Sequence, residues 1–267
     1  MNQRNILQNA VVGGVALVFG SAQVVPGAQD HGPIVSTAIS IMSGNAGDTA
    51  VTDTTPAQPS KVSLALGAFQ GIVRPLSHSR ALSDAFNSYF AYKAVHPEEV
   101  KKPLLYFVDY GLPSNTPRGY VFDMDSLKIV DGPFMVAHGR GSADRNGIPT
   151  RFSNRPNSYA TSLGLYLAQE TYGFSGKAGG RRYGSVGLRL EGVSAGYNDN
   201  ARARKVVAHG APYVTPTRAG RSEGCPAIEQ ARAKKLLPAL ANGAMVFLFA
   251  PDEEWMESDP WVTADAE

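Results

Sequence analysis

Cysteine is almost absent from this chain: Cys225 is the single one in 267 residues, which excludes any intramolecular disulfide. Charge imbalance is missing as well. With 25 basic against 23 acidic residues the formal charge is +2, so the chain as a whole is not a polybasic nucleic-acid binder. Paired metal spacings such as Cys-x-x-Cys or His-x-x-x-His do not occur, and no cofactor or metal is expected. The glycines from Gly173 to Gly180 do not make a phosphate loop, because Lys177 is followed by Ala178 and the preceding Gly is wrongly spaced. Charged residues are only 18%, whereas 43% are hydrophobic, so wholesale disorder is excluded. The 28 Gly and 18 Pro imply many turns and argue against a coiled coil or helical repeat.

The longest N-terminal apolar run, residues 10–20, falls short of the roughly 20 residues that span a bilayer. It follows Arg4 and is followed by Ser21 and Ala22, with Gly20 and Ala22 as the small residues a signal peptidase reads. Residues 1–22 are therefore expected to be a signal peptide. The chain is expected to be periplasmic or secreted, with no stable membrane span once the signal is cleaved. No Cys follows the apolar run, which excludes a lipid-modified anchor there. Residues 23–60, rich in small residues and Pro, read as a flexible linker. An ordered domain is expected over 61–252 and an acidic tail over 253–267.

Within the domain, Leu82, Phe86, Tyr89, Phe90 and Lys93 repeat at helical spacing and predict a helix over 80–94. Apolar stretches bounded by turn residues predict strands over 104–110, 119–124, 127–130, 134–137, 185–191, 205–208 and 244–249. A second helix is expected over 226–240, with Pro226 in its first turn and Asn242-Gly243 as its stop. The fold class is thus mainly β (α+β), a sandwich or barrel with a helix following the cysteine and an N-terminal helical segment. From His138 to Lys235 there are 16 Lys or Arg against 6 Asp or Glu, which points to a solvated basic face or a groove for anionic ligands.

An unpaired cysteine in an exported chain calls for a reason, and its surroundings supply one. Arg221-Ser222-Glu223-Gly224-Cys225-Pro226-Ala227-Ile228 would put Cys225 at a helix mouth, where the dipole and free amides favour a thiolate and an oxyanion. His209 is expected to end the strand 205–208, sixteen positions earlier, and an intervening loop containing Pro212, Pro216 and Gly220 can bring the imidazole back as a base.

These residues resemble the murein L,D-transpeptidases, in the branch whose motif ends Gly-Cys-Pro-Ala. The resemblance runs through Val136-Ala137-His138-Gly139-Arg140-Gly141-Ser142, Asn198-Asp199-Asn200-Ala201-Arg202, His209-Gly210-Ala211 and Gly220-Arg221-Ser222-Glu223-Gly224-Cys225-Pro226-Ala227. It covers most of residues 80–250. It implies a transferase of cell-wall biogenesis acting on peptidoglycan stem peptides through an acyl-enzyme. Cys225 is the matched nucleophile, His209 the matched base, and Ser222 and Gly224 the matched loop positions. Arg221 and Arg189 are candidates for gripping substrate carboxylates, by charge alone. Most such enzymes carry His between the Ser and Gly, and Arg or Asn shortly after the Cys, where this chain has Glu223, Pro226 and Ala227. His138 is a candidate for the second-histidine role and for substrate binding.

In papain-like peptidases the nucleophile precedes its base, the reverse of the order here, and sortases space the pair far more widely. Two further readings stay open: an L,D-carboxypeptidase using water as acceptor, and a non-catalytic peptidoglycan-binding protein with Cys225 idle.

Overall fold

The structure, a computed structural model, describes residues 58–144 and 147–266. The expected signal peptide and all but the end of the expected linker lie outside the described residues. Helices Lys61–Phe69 (α1) and Ala81–Val95 (α2) lead into strands Leu104–Asp109 (β1), Gly119–Asp123 (β2), Lys128–Phe134 (β3) and His138–Gly139 (β4). Then come Gly164–Ala178 (β5), Arg181–Gly192 (β6), Val207–Ala211 (β7), Val214–Thr215 (β8), Arg218–Ala219 (β9), Arg221–Ser222 (β10) and Ala227–Glu229 (β11). Helix Gln230–Leu240 (α3), strand Met245–Phe249 (β12) and helix Glu253–Ser258 (α4) close the described order.

Eight of these strands form one mixed sheet in the order β11-β7-β6-β5-β12-β1-β2-β3. Strands β1 and β12 lie at its middle and pair in parallel, Leu105 opposite Met245. Both read as nearly unbroken apolar runs, as strands covered on both faces must. Phe69 of α1 packs its ring 4.6 Å from that of Phe122 on β2, and Phe86 of α2 meets the same ring edge-on. Helix α2 forms as its spacing predicts, with Phe86, Tyr89 and Tyr92 buried. The β5–β6 hairpin turns at Gly179 and Gly180, both at positive φ, as a two-residue turn between right-twisted strands requires.

Several expectations are corrected. The helix expected from residue 226 begins at Gln230, because Ala227–Glu229 pairs with β7 as a strand. The strand expected over 127–130 extends as β3 to Phe134, whereas the one expected over 134–137 does not form: only Phe134 lies in a strand, and Ala137 makes an isolated bridge to Ala227. Strand β7 does not stop before His209 but runs through it to Ala211. Helix α1 and strand β5 were not expected. The segment read as an acidic tail is packed: Trp255 and Met256 are buried, and the Trp255 indole donates to the buried carboxylate of Asp259 at 2.8 Å. Among the described residues no helix is long and apolar enough to cross a membrane.

Candidate active site

Cys225 sits in the chain segment between two short parallel ladders. Before it, β10 pairs with β4, setting Arg221 opposite His138 and Ser222 opposite Gly139. After it, β11 pairs with β7, setting Ala227 opposite His209. The His209 N–H donates to Pro226 O at 3.4 Å, tying the histidine's strand to the residue that follows the cysteine. A small apolar cluster that includes Met135, Ala137, Ala211, Val214, Ala219 and Ala227 holds these ladders together.

The Ser-x-Gly-Cys spacing has a mechanical cause. Ser222 Oγ donates to Cys225 O at 2.6 Å and accepts from the Gly224 N–H at 3.2 Å, closing a tight turn. Gly224 holds φ at +120°, and a Cβ there would stand 2.8 Å from Ala160 O, so only glycine fits. Glu223 occupies the free corner: it is exposed and reaches Arg140 at 3.7 Å, whose guanidinium lies over the Tyr159 ring.

His209 is almost fully buried, with its ring stacked on Phe174 of the hairpin at 4.1 Å. Its Nδ1 lies 3.2 Å from Gly210 O. A carbonyl can only accept, so this contact assigns the proton to Nδ1 and leaves a lone pair on Nε2. Burial lowers the imidazole's pKa to about 4, which keeps the ring neutral near pH 7. The neutral ring carries an Nε2 lone pair, and burial makes that nitrogen a weaker base than a free imidazole.

The thiol state expected for Cys225 is corrected. Helix α3 starts at Gln230, with β11 intervening, so Cys225 is at no helix mouth and helix-end effects, confined to the first turn, do not reach it. The Gly224 amide, expected to be free for an oxyanion, is engaged by Ser222 Oγ. Burial pushes the thiol above its ordinary value, and Glu223 adds to the rise. The Val207 N–H and the Arg204 guanidinium pull the other way. The resting sulfur is therefore a protonated thiol that needs a base. The residue is half-buried, and its Sγ lies 3.9 Å from Lys205 O.

The three expected substrate contacts are placed differently from one another. His138 is fully buried: Arg118 Nη2 lies 2.7 Å from its Nδ1, and its Nε2 has no hydrogen-bond partner. A guanidinium cannot accept, so the proton is assigned to Nε2, the opposite tautomer to His209. Burial and the Arg118 charge hold the His138 pKa down to about 3. Arg221 is half-buried and donates to Ser114 Oγ at 3.3 Å. Arg189 is exposed, pairs with Glu170 at 2.7 Å and lies over Tyr172. Among the described residues, His96, Glu98 and Glu99 are the one group of His, Asp or Glu side chains close enough to share a cation, and they lie at the end of α2.

Sequence reasoning missed two arginines. Arg118 is fully buried and also donates to Val136 O and Leu112 O, fixing the approach to β4. Arg204 donates to Ala160 O at 2.7 Å and to the hydroxyls of Ser158 and Ser162. Arg204 binds a carbonyl and hydroxyls of a remote segment, and Arg118 binds carbonyls on both sides of it along the chain, pairings that leave no spacing signal in a single sequence.

The family described as the L,D-transpeptidase catalytic domain matches residues 76–249. A comparison with curated protein sequences finds no match. Among solved structures, an L,D-transpeptidase from Mycobacterium smegmatis is similar at 12% identity and a TM-score of 0.34, over 56% of this chain and 59% of that one. An L,D-transpeptidase from Stackebrandtia nassauensis is similar at 16% identity and 0.34, over 64% of this chain and 67% of that one. This chain thus spans less than two thirds of the first of these structures, and at such scores the likenesses add nothing to the family match. That match covers more than half the chain and encloses the strand bearing the buried neutral imidazole, the glycine-hinged turn and the cysteine that follows it: the chain belongs to the L,D-transpeptidase catalytic domain family.

Proposed function

We propose that this chain is a cysteine-dependent L,D-transpeptidase that is acylated on Cys225 by a peptidoglycan tetrapeptide stem. The reading rests on the β7–β11 register, which sets the strand of a neutral, Nε2-basic His209 against the segment carrying Cys225. As Sγ bonds to the carbonyl carbon of the L-centre of diaminopimelate, the thiol proton passes to His209 Nε2. Collapse of the tetrahedral adduct breaks the bond to the terminal D-alanine, whose amine takes that proton back. A thioester remains on Cys225. An amine of a second stem then attacks it, forming the cross-link and returning the thiol. Ser222 and Gly224 hold the turn that presents the sulfur. Arg189, exposed on the hairpin beside His209, is proposed to trade Glu170 for a substrate carboxylate, and Arg221 to face the loop side of the groove. The proposed setting is the exported, wall-facing side of the membrane.

Incubation with disaccharide tetrapeptide, followed by mass analysis of products, tests this. Cross-linked dimer with free D-alanine is expected. Tripeptide with D-alanine and no dimer would make the chain a carboxypeptidase, and unchanged substrate would make it a binder.

A further inference from the structure

We infer that Arg204 is a positioning residue for the nucleophile: its guanidinium, clamped across the segment 158–162, supplies from the chain before β7 the positive charge that Cys225 lacks in its own loop. The residues just after the cysteine are Pro226 and Ala227, which carry no charge, and the helix end that would have favoured a thiolate begins beyond β11. Arg204 is half-buried and held by three hydrogen bonds, from Nη2 to Ala160 O at 2.7 Å and Ser158 Oγ at 3.2 Å, and from Nη1 to Ser162 Oγ at 3.0 Å. The same Ala160 carbonyl closes over Gly224, and a Cβ on Gly224 would lie 3.6 Å from Arg204 Nη2. The arginine therefore packs on the turn that presents the sulfur, and its hydrogen bonds prevent it from swinging away.

Against burial, the Val207 N–H and Arg204 favour the thiolate, and of these two only Arg204 carries a charge. Glu223 stands on its own loop and opposes ionisation. Tyr110 and Tyr166 from the core, Tyr172 and Tyr183 from the hairpin and Tyr213 from the loop after β7 are each held protonated by burial, and they carry no charge near neutral pH. His209 is neutral. The Arg204 guanidinium, packed on the Gly224 turn, lowers the Cys225 thiol's pKa by its charge, after the larger pull of the Val207 N–H.

This deepens the proposed function, since a thiol easier to ionise gives up its proton to His209 at lower cost, yet its test needs no stem peptide. The rate of iodoacetamide alkylation of the full chain is followed against pH for the native protein, Arg204→Gln and Arg204→Lys. Gln keeps amide donors for Ala160 O and Ser162 Oγ while removing the charge, and Lys keeps the charge. Arg204→Gln is expected to move the alkylation midpoint up by about one pH unit and to slow alkylation near neutrality about tenfold. Arg204→Lys is expected to stay within about threefold of the native rate. Native behaviour in Arg204→Gln overturns the inference. So does an Arg204→Lys slowed as much as Arg204→Gln, which would show that shape alone matters; that arm decides even where Arg204→Gln does not fold. Unacylated but normally alkylated native protein would count against the proposed function and leave this inference standing.

Discussion

The two buried histidines carry opposite tautomers, and each is set by one neighbour. Gly210 O takes the Nδ1 proton of His209, and Arg118 occupies the Nδ1 lone pair of His138. Of the two, only His209 thus keeps an Nε2 lone pair. The sign of its pH effect follows from burial: protonation is disfavoured until about pH 4, so base function is present above that value and is lost as pH falls through it. The pH profile of acylation is expected to show its acid limb near 4, with none near the ordinary imidazole value of about 6.5. A limb near 6.5 would mean that the ring is solvated in the working enzyme. Cys225, His209, Ser222 and Gly224 were legible in the sequence because their spacing is local. Arg118 and Arg204 were not, since their partners lie in segments distant along the chain. The charge state of Cys225 was misjudged for a related reason: a dipole argument depends on where a helix begins, and Pro226 suits a strand entry as well as a first helical turn.

At the scale of elements, the cysteine is presented by a turn rather than by a helix. Short ladders clamp it at both ends, and Gly224 lets its backbone pass under Ala160. Gly224→Ala would force a side chain into positive φ and against a carbonyl, a strain of about 1–3 kcal/mol. The variant is expected to melt several degrees lower and to lose about 100-fold in acylation, because a displacement of about 1 Å at the reacting atom costs that much. Calorimetry with adduct kinetics checks both, and a stable, fully active variant would show that the turn tolerates another path. Strands β1, β2 and β12 and helix α2 were legible as apolar runs and helical spacing. Strand β5 was not: its outer half, rich in Gly and Ser, runs half-exposed beyond the core and shows no alternation of large apolar and polar residues. Its site-facing side chains, Tyr172 and Phe174, acquire meaning only once the hairpin lays them on Arg189 and His209.

Taken whole, the described part of the molecule sets Cys225 beside the edge strand of an eight-stranded sheet whose middle strands are sealed. The sheet's β11-β7-β6-β5 side carries His209, the aromatic rings of Tyr172 and Phe174 and the strand that follows Cys225, and the packed C-terminal segment closes the core elsewhere. Mixed α+β architecture was legible from composition and punctuation. The strand order was not, because nothing local specifies that β12, last in sequence among the strands, inserts between β5 and β1. The central claim, that Cys225 is the acylated nucleophile with His209 as its base, is tested most directly by intact-protein mass spectrometry after rapid mixing with disaccharide tetrapeptide. The native chain should gain the mass of the stem less one D-alanine on the peptide containing Cys225. Cys225→Ser should gain no such thioester adduct, and His209→Ala should form it at least about 100-fold more slowly. Release of D-alanine at the native rate by Cys225→Ala would contradict the claim.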